Sequence, residues 1–410
     1  MNMETQVEIV PTEEKNADLT RLVSRVFSID EITWGTNQQN YIVRYRGHLN
    51  MDSTQAYDEL AGLLRVREIT PIFRIEEGRQ TIVLMPFVIN PKPSNAWINL
   101  ILFVLTMVSM VFAGFLYSFD GNGIAPGVGG IIQAFLENWT VGLSFAISLL
   151  AILLAHEFGH YLAGRYHKTH VTLPYFIPLP ISLFGTLGAF IQLKEPPKNK
   201  RILLDIGIAG PLAGLVVAIP VLLIGLSLST VNPLPHFMPQ GSSISVEGNS
   251  LLYLFAKYLT FGQLLPEPSS YNGLSPLLYW IRYFFTGRPY PLGGTDVFLH
   301  PMAWAGWAGL LVTALNLIPV GQLDGGHVSY VLLGNKARLL VAPILVGLVL
   351  LGLAWSGWWL WAFLLFFLGR YYAEPLDQIT PLDPKRKAVA ILGLVIFFLV
   401  FIPVPLIFIS

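Results

Sequence analysis

Residues 148–166 read SLLAILLAHEFGHYLAGRY. The run suits the interior of a bilayer as far as Ala155 and then places His156, Glu157 and His160 within about one helical turn. A membrane span takes roughly 20 mainly apolar residues, and 139–163 is such a stretch, so the polar group falls at the end of a membrane helix. An ionised side chain at the centre of such a helix costs roughly 2.5 to 3.5 kcal/mol, less near its end. Three polar groups abutting the apolar run therefore call for a compensating partner. Helical geometry sets the two imidazoles about 40° apart around the axis and roughly 6 Å apart along it, so both reach one ion. Neutral imidazole is a good zinc ligand, and Glu157 can take a proton from an activated water without itself being a ligand. A solvated helix end is the plainer reading of the same residues, and the membrane penalty argues against it.

Composition agrees with a membrane setting. Of 410 residues, 53% are hydrophobic and only 12% charged, and the mean hydropathy is +0.58, more apolar than a soluble globular domain. The 25 basic and 25 acidic residues balance, which implies no polyanion partner such as a nucleic acid. Without cysteine, disulfide frameworks, thiol catalysis and thiolate metal sites are excluded. The first residues, MNMETQVEIVPTEEKNADL, are acidic and lack the apolar core of a secretory signal. Uncleaved insertion in a prokaryotic cell membrane is the expectation.

Residues 1–92 are rich in charge and contain no apolar run of membrane length, so a small soluble α+β domain is expected there. Its strands are read at 41–49, 70–76 and 80–86, the last two forming a hairpin across Glu77-Gly78-Arg79. A helix is read over 54–66 with Ser53 as its N-cap, and Asn90-Pro91-Lys92-Pro93 reads as a linker. Residues 93–410 form the membrane domain, with its core at about 139–335. Spans are expected at 97–118, 139–163, 202–228, 301–318, 337–354, 356–372 and 388–409. This gives an α-helical polytopic membrane protein of six to seven transmembrane helices, 337–372 being alternatively a tightly turned hairpin. The stretches 251–264 and 274–286 carry Lys257 and Arg282 and read as interfacial or re-entrant helices. Trp355, Trp358, Trp359 and Trp361 read as an interfacial belt.

Lys and Arg are retained on the cytoplasmic side of membrane loops. Arg165, Lys168, Lys194, Lys198, Lys200, Arg201, Lys336, Arg338, Arg370 and Lys385–Lys387 fall in one set of connections. Only Lys257, Arg282 and Arg288 fall in the other. The asymmetry puts the N-terminus, and the end of the helix that carries His160, toward the cytoplasm. It also brings the helix from 301 down to residue 324 at the same depth. A catalytic zinc takes three protein ligands and leaves a place for water, and Asp324, in NLIPVGQLDGGH (316–327), is the best third ligand. Pro319 stops the preceding helix, and Gly321, Gly325 and Gly326 permit an irregular backbone. Alone, Asp-Gly-Gly is a turn signal more often than a ligand, and the shared depth is what raises it.

Together these motifs resemble the site-2 protease family of intramembrane zinc metalloproteases, with signatures HExxH and NxxPxxxLDGG. His156, Glu157 and His160 match the first, and Asn316, Pro319, Leu323, Asp324, Gly325 and Gly326 the second. The segment GTLGAFIQLK (185–194) further resembles the chloroplast and cyanobacterial branch. The resemblance covers about 139–335. It implies one zinc per chain on His156, His160 and Asp324, Glu157 as the catalytic base, and Asn316 as a polar contact near the substrate. Around Gly185 and Gly188 it suggests a membrane-re-entrant strand. A helical substrate hides its peptide bonds, and a strand edge could hold it extended. An ordinary hairpin is the other reading of those glycines.

The expected activity is cleavage of a membrane-anchored protein in or beside its transmembrane segment, with fragments released to the cytoplasm. The competing class is a metal-binding but non-proteolytic membrane protein, a transporter or an inactive chaperone-like relative, against which the intact Glu157 speaks. Gly207, Gly210 and Gly214 are assigned to tight helix packing, and His167, His170, His300 and His327 to structure. The N-terminal domain and the loop 229–300 are expected to gate or recruit substrate.

Overall fold

A computed structural model describes residues 12–36, 38–119, 127–237 and 244–409. The chain divides into two compact units. One contains the described residues up to Lys92 together with Glu195–Leu203 and Glu374–Asp383, and the other contains Pro93–Lys194, Leu204–Ala373 and the chain from Pro384 onward.

The first unit runs α1 (Thr12–Val23), β1 (Phe27–Trp34), β2 (Val43–Leu49), α2 (Ser53–Arg65), β3 (Thr70–Glu76) and β4 (Arg79–Met85). Its strands form an antiparallel sheet in the order β1-β2-β4-β3. Glu76 pairs with Arg79, and the two residues between, Glu77 and Gly78, take φ of 52° and 78°. Two left-handed residues match the right-handed twist of the flanking strands. Strand β1 escaped the pattern reading because FSIDEITW is interrupted by a register shift between Ile29 and Glu31, which breaks the two-residue alternation. The N-cap is Asp52 rather than Ser53: its carboxylate accepts the Thr54 N–H, while the Ser53 hydroxyl donates to buried Asp377 at 2.9 Å. Tyr45, Leu60, Phe73 and Ile82 form the core where α2 covers the sheet. Residues 374–383 run beside β3, with the Phe73 N–H donating to the Leu376 carbonyl and the Gln378 N–H to the Phe73 carbonyl.

The second unit begins with α3 (Ala96–Ser118), α4 (Val128–Asn138) and α5 (Leu143–Tyr166), followed by the strands β5 (Tyr175–Pro178) and β6 (Thr186–Phe190). Helix α6 (Lys200–Ser227) starts in the first unit and continues here. Next come β7 (Thr230–Pro233), β8 (Ile244–Glu247), α7 (Leu251–Phe261), α8 (Pro276–Thr286) and β9 (Thr295–Phe298). The chain closes with α9 (Pro301–Asn316), α10 (Asp324–Leu333), α11 (Val341–Leu351), α12 (Gly357–Leu368), α13 (Pro384–Val400) and β10 (Leu406–Ile409). Among the described residues four helical segments are long and apolar enough to cross a membrane: Ala96–Ser118, Val128–Tyr166, Lys200–Ser227 and Asp324–Leu351. Helices α9 and α13 have 16 and 17 residues, a length of about 24 to 26 Å against a hydrocarbon core of about 30 Å.

Two further expectations are corrected. The span read at 388–409 ends at Val400, because Pro403 and Pro405 deny the helix its amide donors, and Leu406–Ile409 instead pairs as a strand with β8. In the aromatic group, Trp358 is fully buried and donates its indole N–H to the Pro403 carbonyl, so it belongs to the core, whereas Trp359 is exposed. On α7, within one of the stretches read as interfacial or re-entrant, the Lys257 side chain turns inward, with no exposure at all.

Candidate metal centre

Helix α5 buries one face along Phe145, Leu149, Ile152 and Leu153, and the same face carries His156 and His160. His156, Glu157 and His160 are all buried. Opposite them, α9 ends at Asn316, and the chain turns through Gly321, at φ 59°, before α10 begins on Asp324. The turn is tight enough that a Cβ on Gly325 would overlap the Leu317 carbonyl, and one on Gly326 the Gly321 carbonyl. The two glycines thus let Asp324 swing in to face α5.

The three proposed ligands converge. Nε2 of His156 and Nε2 of His160 are 3.2 Å apart, and Oδ2 of Asp324 is 3.3 Å from the first and 3.4 Å from the second. A tetrahedral ion with bonds of about 2.0 to 2.1 Å has ligand-to-ligand edges of about 3.3 to 3.4 Å. The donor triangle therefore has the size of one face of a zinc tetrahedron, and its chemistry, two imidazoles and a carboxylate, fits zinc with one position left over. Among the described residues, these three make up the group of donors able to hold a metal. Nδ1 of His160 lies 2.7 Å from the Ile206 carbonyl. A carbonyl can only accept, so the proton sits on Nδ1 and Nε2 presents its lone pair to the centre.

The other candidates sort by distance from that triangle. The Asn316 amide nitrogen is 3.2 Å from Nε2 of His156, at the edge of the centre. Gly185 and Gly188 lie on the β5–β6 hairpin, at φ of 73° and 101°, and do not touch the donors. Their connection is through the strand: pairing extends beyond β6 to the Val171–Leu193 bridge, and the backbone at Ile191, between the two, lies beside the Glu157 carboxylate. The hairpin is held against α3, where the Ser109 hydroxyl donates to the Gly185 carbonyl at 2.5 Å and the Asn99 amide donates to the Leu173 and Pro174 carbonyls.

Sequence reasoning gave Gly207, Gly210 and Gly214 a packing role without saying against what. On α6 they face the centre itself. A Cβ on Gly210 would overlap the His160 ring, one on Gly214 would come within 3.2 Å of His156, and one on Gly207 within 3.1 Å of His327. Of the histidines set aside, His167 pairs with Asp205 at 2.9 Å, and His300 caps α9 by accepting the Met302 N–H. His327 is packed against α6 with its Nδ1 lacking a partner among the described residues.

Residues 144–352 match the model of "Peptidase family M50". The chain is 32% identical over 334 residues to "Probable zinc metalloprotease EGY1, chloroplastic" of Arabidopsis thaliana, which covers 77% of this chain and 55% of the relative. The protein of that name from Oryza sativa subsp. japonica is 31% identical over 333 residues, 77% of this chain and 52% of its own. "Probable zinc metalloprotease EGY2, chloroplastic" of Arabidopsis thaliana is 29% identical over 287 residues, 68% and 45% respectively. The chain spans about half the length of these curated relatives. No solved structure matches. The expectation of a prokaryotic cell membrane is corrected by these relatives, whose chloroplastic descriptions point to a plastid membrane. That expectation rests on the acidic first residues, which lack the apolar core of a secretory signal, and such composition carries nothing about which membrane is crossed.

Proposed function

The chain belongs to peptidase family M50, and on that premise we propose that it is a zinc-dependent intramembrane endopeptidase acting on membrane-anchored proteins. The observation that carries this reading is the donor triangle of His156, His160 and Asp324, with edges of 3.2 to 3.4 Å, beside the Glu157 carboxylate on the same helix. When bound, zinc supplies polarisation of the scissile carbonyl and acidification of a water. Glu157 takes the proton of the attacking water and passes it to the departing amine nitrogen, so that the peptide C–N bond breaks with the proton count conserved. The Asn316 amide, 3.2 Å from Nε2 of His156, would donate to the carbonyl oxygen as charge builds on it, an interaction worth about 10²- to 10³-fold in rate in comparable sites.

Strand β6 would hold the substrate. A peptide bond in a helix is covered by its own hydrogen bonds, and an edge strand running past Glu157 offers a ladder on which an unwound segment can lie. Helices α9, α12 and α13, counted with the four long segments, make seven crossings, six of them before residues 374–383, which returns that segment to the side of residues 1–92. Their shortness is accommodated by local thinning of the bilayer or by tilt of their neighbours.

The test is a comparison of membrane-protein fragments, by mass spectrometry, in cells carrying the wild-type chain or Glu157→Gln. Fragments that end within or beside a transmembrane segment are expected only with wild type, while the variant keeps its zinc. Equal fragment sets from the two would overturn the reading.

A further inference from the structure

At the opposite end of α5 and α9 from the donor triangle lies a second polar centre. Glu247 at the end of β8 and Asp296 on β9 are both almost fully buried, and both line a cavity of about 320 Å³ walled on the other side by Tyr117 and Trp304. Lys257 of α7 has no exposure, lies 3.6 Å from Glu247 and sits over the Tyr253 ring at 4.5 Å. The Tyr253 hydroxyl also donates to Glu247, at 2.9 Å. Glu247 is thereby compensated.

Asp296 is not. Among the described residues its carboxylate accepts one hydrogen bond, from the neighbouring Val297 N–H, so two buried carboxylates share one ammonium. Burial without a cation of its own pushes the Asp296 carboxyl up to about 7, with Lys257 opposing and Glu247 adding to the shift. The other titratable groups facing it are the hydroxyls of Tyr253 on α7 and of Tyr279 and Tyr283 on α8, which stay neutral. A buried carboxylate left in this state is costly unless a cation joins it. A second gap lies on the same wall: the Trp304 indole N–H has no acceptor among the described residues.

We propose that this cavity is an exosite for a basic side chain, arginine or lysine, that flanks the membrane segment of the substrate protein. It rests on the protease reading of the metal centre. The side chain's cation pairs with Asp296, its stem lies against the Tyr117 and Trp304 rings, which favour a cation on their faces, and a backbone carbonyl beside it meets the Trp304 N–H. Free amines share the cation but lack that carbonyl. Phe145, on the cavity wall, and His156 are both on α5, about 17 Å apart along its axis. A substrate gripped at the cavity would therefore present to the metal centre a bond about 17 Å deeper in the membrane.

The experiment titrates the full-length Glu157→Gln chain in detergent with acetyl-arginine amide and with acetyl-citrulline amide, its neutral isostere, by calorimetry. Arginine is expected to bind at least about tenfold more tightly than citrulline, and Asp296→Asn to remove that preference. Because the bound form needs Asp296 ionised, arginine affinity should rise about tenfold from pH 6 to pH 8. Equal binding of the two probes, or arginine binding independent of pH, overturns the proposal on the native side chains even if Asp296→Asn fails to fold. Selective arginine binding in a chain that cleaves nothing would sink the protease reading alone. Cleavage indifferent to a flanking Arg→Gln change, with no selective binding, would sink the exosite alone.

Discussion

Gly210 has no room for a side chain, because a Cβ there would overlap the ring of His160. His160 cannot retreat, since its Nδ1 is fixed on the Ile206 carbonyl at 2.7 Å. Gly210→Ala should therefore push the imidazole off the donor triangle, with zinc affinity falling about 10- to 100-fold, as when a ligand's supporting contact is lost. A chelator competition on the purified chain measures it, and unchanged affinity would mean that α6 does not set the ligand geometry. The two motifs were legible because each compresses its chemistry into a few neighbouring residues. The part played by Gly210 was not, because a glycine stripe looks the same against a histidine as against a leucine. Spacing says that a helix comes close and leaves open what it approaches.

Among the elements, the β5–β6 hairpin carries the most argument per residue. Gly185 combines a φ of 73° with contact to the α3 backbone, a Cβ there falling 2.5 Å from the Ser109 carbonyl oxygen. Gly188, at φ 101°, has open space around it, so its constraint is conformational alone. Gly185→Ala should lift the strand from α3 at a strain of about 1 to 3 kcal/mol, cutting cleavage about tenfold or more while zinc content stays at the wild-type level. Loss of zinc in this variant would instead make the hairpin part of the metal centre's support. Helices and strands of strong period were readable at this scale, from α3 to the β3–β4 hairpin. Strand β1 and the C-terminal strand β10 were not: a bulge broke the alternation of one, and the apolar run 388–402 leading into Pro403 and Pro405 looked like a continuing span in the other. Asp52 took the cap from Ser53 because its carboxylate reaches the Thr54 N–H, leaving the serine free to bond Asp377.

At the scale of the molecule, the chain combines a small mixed sheet unit with a helical unit, and segments 195–203 and 374–383 return to the first from far along the sequence. Long-range returns of this kind leave no local period, which is why composition marked the change near residue 92 and not these two segments. Among the described residues, the second unit holds its buried ionisable groups in two places, the metal centre at one end of α5 and the Glu247, Lys257 and Asp296 group at the other. The triangle was visible in advance as two motifs on one side of a membrane, but the second group required the loop 229–300 to fold before its charges could meet.

The central claim is that His156, His160 and Asp324 hold one zinc between them. Elemental analysis of the purified full-length chain, beside Asp324→Ala with both histidines intact, tests it most directly. The account predicts about one zinc per wild-type chain and loss of most of it in the variant at equal chelator strength, since removing one of three protein ligands opens the site. Zinc held as tightly by Asp324→Ala as by wild type, or a wild-type chain that takes up none when zinc is supplied, would contradict it.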